Sequence, residues 1–312
     1  MSISTNNLET MQNETINILS IHQEIEENGY AVIDLLDETE VKNLLKFYDK
    51  YSPSKDPSHP NIIATMTASD LSYRRMTTQE IKNCFSPKLA NLFPDYRAVM
   101  CNFVAKNPHG LGEMLIHQDP SLVDETSIKS FGVWCPLIDV NEQNGCLQVV
   151  KKSHLLNSQF RPLFTFAGFP YSQAILSLLK LDYLTSIPMK AGQAIIYDRR
   201  LLHGSPPNSS NMERVAVVFS LVPENILPHF CYRETSTSSK IELFEVGDEF
   251  YDSYIVGEKP EGVKSLGTFD YRVDPVTPEL LVEKLGTPEL SIDKKLMRWF
   301  QTNPLFKIFQ EK

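Results

Sequence analysis

The stretch "LIHQDPSLVDE" places His117 and Asp119 two residues apart. On an extended segment, residues i and i+2 point to one face, so an imidazole and a carboxylate would stand side by side as a chelate needs. Alone, such a pair is weak evidence, because a loop histidine beside an acid is the commoner outcome. A second stretch, "YDRRLLHGSPPNSSNMERVAVVF", carries His203 just after one apolar run and Arg214 at the start of the next. Two strands joined by the polar Gly-Ser-Pro-Pro-Asn turn can bring His203 and Arg214 to the same end of a sandwich. Two imidazoles and one carboxylate make the facial ligand set of non-haem Fe(II) oxygenases, which leaves positions open for a bidentate keto acid and dioxygen. The distal carboxylate of such an acid needs a fixed partner, and arginine offers a two-pronged, always-charged one. The same two-His-one-Asp set is also an open zinc site of the kind hydrolases use. That reading leaves Arg214 without a role and asks for a nearby acidic base. A third reading is a non-catalytic jelly-roll binding module, in which His117 would be dispensable.

The elements that must position these residues are short. From residue 96 onward, "YRAVMCNFVAKNP", "SIKSFGVWCPLIDV", "GCLQVVKKSH", "AGQAIIYD" and "RVAVVFSLVP" are rich in Val, Ile, Phe and Tyr and bounded by Gly, Pro, Asn or Asp. That spacing predicts an all-β sandwich or barrel. One helix, near "YSQAILSLLKL", interrupts it. Before it lie a helix closed by Gly29, a strand in "YAVIDLL", a helix capped by Asp37 and Glu40, a loop "SPSKDPSHPN", and two short helices in "DLSYRRMTTQEIKNCF" and "SPKLANLF". The whole is mainly β with flanking α: a double-stranded β-helix (jelly-roll, cupin-like) core, an N-terminal helical layer and a C-terminal extension. Residues 1–16 read as a flexible tail and 17–312 as a single domain, with the core at about 96–224 and the extension at 225–312. In the extension, "TPELLVEKLG" and "DKKLMRWFQ" suggest short terminal helices.

Composition narrows the classes of function. The 312 residues carry a net charge of -9. That excludes a general nucleic-acid binder, whose affinity comes from Lys and Arg neutralising phosphates; "YRRMT" and "DRR" are the only short basic clusters. The five cysteines are odd in number with no C-x-x-C spacing, as expected of reduced thiols in a cytoplasmic protein. The polar start is no signal peptide, and no run is long enough to span a bilayer.

Taken together, "HQD" at 117–119, "NGCLQVVKKSH" at 144–154, "HGSPPN…R" at 203–214 and the opening "NGYAVIDLLDETEVKNLL" resemble the phytanoyl-CoA dioxygenase family of Fe(II)/2-oxoglutarate oxygenases. The resemblance spans about residues 20–225. It implies a jelly-roll core and iron ligands His117, Asp119 and His203. It places the distal carboxylate of 2-oxoglutarate on Arg214 and Ser205. Lys106 falls where members often have a basic residue near the cosubstrate, and also reads as a solvated strand end. Trp134 falls where an aromatic often lines that pocket, and also reads as plain core. The implied reaction consumes 2-oxoglutarate and dioxygen, releases succinate and carbon dioxide, and hydroxylates an unactivated C–H bond of a small molecule; ascorbate is the usual assay reductant. Related aliphatic halogenases lack the carboxylate that Asp119 provides, so halogenation is not expected.

The sequence departs from the family at "KKSH", where a glycine usually precedes Ser-His, and after residue 225. Gln118 should face away from the metal. His22, His59, His109, His154 and His229 read as structural, and Arg74 and Arg75 as a solvated helix face. No motif marks coenzyme A, a carrier protein or a sugar. The substrate is expected to be a specialised metabolite, amino-acid- or peptide-derived, either free or carrier-bound. Segments 52–80 and 225–260 are the expected lid.

Overall fold

In a computed structural model, residues 5–52, 62–163, 171–272 and 274–288 are described. The expected loop at 53–61, His59 and the helix in "DKKLMRWFQ" lie outside them. The first helix, α1 (Thr5–Asn28), opens well before residue 17, so most of the segment expected as a tail is helical. It ends at Gly29, whose φ of 88° is open to glycine at little cost. α2 (Glu38–Tyr51) starts with the capping box that Asp37 and Glu40 foretell. The two short helices expected before residue 93 are one, α3 (Leu71–Leu89), which carries Pro87 inside it.

Two sheets form the core. The larger has six strands: β1 (Tyr30–Asp34), β8 (Gln193–Asp198), β5 (Phe131–Pro136), β10 (Arg214–Pro223), β3 (Tyr96–Lys106) and β2 (Ile62–Ala64), in that spatial order. The N-terminal layer therefore also lends the core its two edge strands. The smaller sheet orders β4 (Met114–His117), β9 (His203–Ser205), β6 (Leu147–Val150) and β7 (Leu184–Ile187). Every pairing is antiparallel. Period-two alternation sorts β10 cleanly. Val215, Val217, Phe219 and Leu221 pack beneath α1, α2 and α3 with Ile25, Leu44, Ile81 and Phe85. Arg214, Val218 and Ser220 face the space between the sheets, and Ala216 joins Trp134, Leu147 and Val149 in closing its inner end. β5 is buried at every position, as a central strand covered on both faces must be.

The helix expected near residue 175 is a short α4 (Gln173–Leu178) running into one π-helical turn, Leu179–Tyr183. Beyond residue 225, β11 (His229–Tyr232), β12 (Lys240–Glu245) and β13 (Lys264–Asp270) form a third sheet that the sequence pattern did not reveal. In the chain, α5 (Phe250–Ser253) lies between β12 and β13, and α6 (Pro278–Leu285) follows β13. The extension is clamped to α3 by Arg74. This residue is buried, not solvated as expected, and donates to the Tyr251 and Tyr254 carbonyls at 2.8 and 2.9 Å; Arg75 is exposed. All five cysteines are free thiols. Among the described residues no helix is long and apolar enough to cross a membrane.

Candidate metal and cosubstrate site

Strand register brings the two histidines together. His117, the last residue of β4, pairs directly with His203, the first of β9, and their ring centroids lie 4.4 Å apart. Gly204 makes the approach possible: a Cβ there would stand 2.7 Å from the Met114 carbonyl oxygen. Asp119 is placed differently. β4 stops at His117, so the strand alternation read from the sequence does not reach Asp119. Its backbone N–H instead donates to the Arg199 carbonyl at 3.2 Å, and the Arg161 Nε donates to its carbonyl at 2.7 Å.

The donor chemistry of the three residues fits a metal ion. The Nδ1 of His117 lies 2.8 Å from the Leu115 carbonyl, and that of His203 2.9 Å from the Leu201 carbonyl. A carbonyl can only accept, so each proton sits on Nδ1 and each Nε2 presents its lone pair. Both Nε2 atoms converge on Asp119 Oδ1, at 3.9 and 3.8 Å. All three ligand atoms lie within 4.8 Å of one another. The other carboxylate oxygen is held away: Tyr197 Oη donates to Oδ2 at 2.9 Å, and Arg199 pairs with it at 3.3 Å. Burial, then His203 nearby, lowers the His117 pKa to about 4. Burial pushes Asp119 the other way, but Arg199, the two imidazoles and the Tyr197 hydroxyl outweigh it and hold the carboxyl at about 2. At neutral pH the His117 imidazole is therefore neutral and the Asp119 carboxyl ionised, the forms that metal binding requires.

A second constellation lies on the facing sheet. Arg214 pairs across the strands with Lys106, and both side chains are almost fully buried. Two cations directly opposite each other repel, yet neither has an ion-pair partner among the described residues. Lys106 Nζ donates to the Ser205 and Pro206 carbonyls. Arg214 has one long bond, 3.4 Å to the Val104 carbonyl, and its Nε has no acceptor. Its guanidinium carbon sits 5.4 Å over the Trp134 ring. Burial, and then Arg214, depresses Lys106 to about 7; burial holds Arg214 down at about 10. Both constellations line one cavity of about 610 Å³, which Ser205 and Trp134 also line. That volume falls within the range of small-molecule sites.

The sequence profile of the phytanoyl-CoA dioxygenase (PhyH) family matches residues 25–216. The chain belongs to this family. A phytanoyl-CoA dioxygenase of Arabidopsis thaliana is 32% identical over 120 residues, 38% of this chain and 42% of that protein. The phytanoyl-CoA dioxygenase domain-containing protein 1 of Bos taurus is 29% identical over 128 residues, 40% of this chain and 44% of its own. These alignments thus span less than half the length of either curated relative. Among solved structures, the non-heme alpha-ketoglutarate-dependent carbocyclase SnoK from nogalamycin biosynthesis superposes over 68% of this chain and 85% of its own. Its TM-score is 0.51 and its identity 19%. The epimerase SnoN from the same biosynthesis covers 72% and 88%, with a TM-score of 0.51 and 16% identity. At such identities the likeness is one of fold.

One departure of this PhyH chain is now explained. Lys152, where the family usually has glycine, adopts a left-handed φ of 68°, so the turn into Ser153-His154 keeps the conformation at the cost of placing a side chain in it. Gln118 turns from the metal ligands to donate to the Arg200 carbonyl. Tyr197, Arg199 and Arg161 escaped the sequence reading; two of them lie in "YDRR", which marked only a basic cluster. Among the described residues of the expected lid, Ile62, Ala64, Met66 and Thr67 line the cavity, whereas 225–260 contributes nothing and Tyr271 reaches it instead.

Proposed function

We propose that the chain is an Fe(II)/2-oxoglutarate-dependent dioxygenase that hydroxylates an unactivated C–H bond of a small organic molecule. The supporting observation is the pair Arg214–Lys106: two buried basic groups, directly opposite each other and without an acid partner among the described residues, in the same cavity as the His-Asp-His set. Isolated buried charge is expensive. A dicarboxylic keto acid relieves it, one end reaching the metal and the other the two cations.

In this reading His117, Asp119 and His203 hold the iron. Arg214, with Ser205 and Lys106, receives the distal carboxylate, and Trp134 packs against the guanidinium. Bound iron supplies the oxidising chemistry with dioxygen and 2-oxoglutarate, whose products are succinate and carbon dioxide. The residues do the rest: the Leu115 and Leu201 carbonyls fix both tautomers, and Tyr197 and Arg199 keep Asp119 Oδ1 aimed inward. Asp119 occupies the position that related halogenases leave to chloride, which favours hydroxylation. The substrate class we favour is a specialised metabolite of amino-acid or peptide origin, handled in the cytoplasm.

The test is succinate release from 2-oxoglutarate with added Fe(II) and ascorbate. Uncoupled turnover above an His117→Ala background is expected. Absence of succinate at any iron loading, together with tightly held zinc, overturns the proposal in favour of a hydrolase.

A further inference from the structure

The wall of the cavity that does not carry the ligand set is built by a defect in β3. Val218 of β10 pairs with Asn102 and Ser220 with Val99, so Met100 and Cys101 stand opposite the single residue Phe219. This is a β-bulge, and it switches the phase of the strand: Ala98 on one side and Cys101, Phe103 and Ala105 on the other all pack toward the helices. Met100 absorbs the extra residue in a left-handed conformation, φ 53°, which a side-chain-bearing residue adopts only under constraint. The constraint is Asn102. Its Nδ2 donates to the Met100 carbonyl at 2.7 Å, and its Oδ1 accepts from the Met66 N–H at 2.8 Å. Met66 lies in the 3₁₀ turn Thr65–Thr67. One buried asparagine thus ties two irregular segments together, and Met66 and Met100 both line the cavity.

The charges on the lining are already engaged. Arg161 pairs with buried Glu125 and donates to the Asp119 and Gln159 carbonyls. Arg199 pairs with Asp119 and donates to the Pro120 carbonyl and the Ser220 hydroxyl. Glu113 pairs with Lys180. Arg214 and Lys106 have no acid partner among the described residues, and both belong to the end of the cavity that the distal carboxylate of the proposed keto acid takes. Away from that end, no described lining residue carries a charge without a partner for a second ligand to meet. Methionine walls suit apolar ligands of irregular shape, because the thioether is flexible and polarisable.

We infer that the second ligand of this cavity, the substrate if the oxygenase reading holds, is an uncharged and largely apolar molecule seated against Met66 and Met100. A coenzyme A thioester, a phosphate ester or a free amino acid would bring charges that these walls do not answer. The inference narrows the substrate class and rests on the oxygenase reading for the word substrate and for the keto acid that takes the Arg214–Lys106 end.

The test uses the full chain with Mn(II) and excess 2-oxoglutarate under anaerobic conditions, so that nothing turns over. Displacement of the neutral dye Nile red is followed for three probes sharing a ten-carbon chain: methyl decanoate, decyl phosphate and decanoyl-coenzyme A. Methyl decanoate is expected to displace the dye at least about tenfold more tightly than either anion. Met100→Lys and Met66→Lys should narrow or reverse that order in favour of decyl phosphate. An anion that binds as tightly as the ester, no displacement by the ester, or an order that neither lysine variant changes overturns the inference. Succinate release is measured separately. A chain that prefers the ester but releases no succinate loses the oxygenase reading and keeps the apolar wall; the reverse result loses only the wall.

Discussion

The two ends of the cavity are held by different means. At the metal and cosubstrate end, His117, His203, Arg214 and Lys106 sit at strand ends, in registers that pair them two by two. Their neighbours fix tautomer and orientation atom by atom. At the other end the wall comes from a bulge, a 3₁₀ turn, Phe160 in the irregular stretch after residue 155, and Tyr271 of the extension. Regular register fixes relative positions to a fraction of an ångström, which ligand geometry requires. Irregular backbone can change without disturbing the sheets, which suits a surface that decides what binds. The chemistry and the choice of ligand are thereby separated in the fold.

The largest effect should come from the ligand set. His117→Ala is expected to weaken Mn(II) binding by more than about 100-fold, beyond what loss of an outer hydrogen-bonding neighbour costs. Met66→Ala should leave it within about twofold. Isothermal titration of both variants checks this. If the methionine change weakens metal binding as much as the histidine change, the two ends are not separable and the comparison fails.

Next comes Arg214→Met. Removing one partner of a buried charge contact should lower 2-oxoglutarate affinity by about 100-fold. Without cosubstrate the same change deletes a buried guanidinium whose Nε has no acceptor, and a methionine fills similar space. Stability of the cosubstrate-free chain should therefore rise by about 1 to 3 kcal/mol. Urea unfolding measures it. A loss of stability would mean that Arg214 is satisfied in the free protein and is not waiting for an anion.

The same division explains what could be read in the sequence. His117, His203 and Arg214 were legible because their types are rare in apolar strands and their spacing matches strand and turn lengths. Asp119 was legible for a reason that proved incomplete: the strand ends before it, and Arg161 and Arg199 position it from remote segments. Such residues leave no local periodic trace. Nor does a bulge: Met100 reads as one more apolar residue in "YRAVMCNFVAK", and only the β10 partner shows the extra count. Arg74 was misplaced because a polar helix face looks solvated until a distant element, here α5, covers it. The sheet of the extension was missed because "RETSTSSK" and the acidic run after it mask short strands.

Lys106 gives a test at the cosubstrate end that depends on pH. In the folded chain it titrates near 7 rather than 10.5, chiefly through burial and then through Arg214, with Glu113 and Cys146 pulling the other way. The charged form is penalised on folding, so stability is lowest below pH 7 and rises as the pH climbs toward 10.5. A bound carboxylate favours the charged form. Above pH 7, 2-oxoglutarate binding must then take up a proton, and it weakens as pH rises. With Mn(II) under anaerobic conditions, the Kd should increase roughly tenfold from about pH 6.5 to about pH 8.5. Lys106→Met should flatten the profile. A slope that persists in the variant assigns the proton elsewhere and removes Lys106 from the cosubstrate end.

The smallest effect belongs to Met100→Gly, and it is the sharper for being small. Replacing a methionine inside a strand by glycine ordinarily loses its burial, about 1.5 to 3 kcal/mol, plus about 0.5 to 1 kcal/mol of backbone entropy. At Met100 two terms are reduced. The side chain is only half-buried, against the cavity, and the left-handed backbone costs a non-glycine residue about 1 to 2 kcal/mol that glycine does not bear. The net loss should stay within about 1.5 kcal/mol, with metal and 2-oxoglutarate affinities unchanged and Nile red affinity reduced. Asn102→Ala removes the tie without relieving the φ angle and should cost more stability than Met100→Gly while moving the same dye affinity. If Met100→Gly instead unfolds the chain or lowers metal affinity, the bulge is structural support for the metal end, and the separation of the two ends is lost.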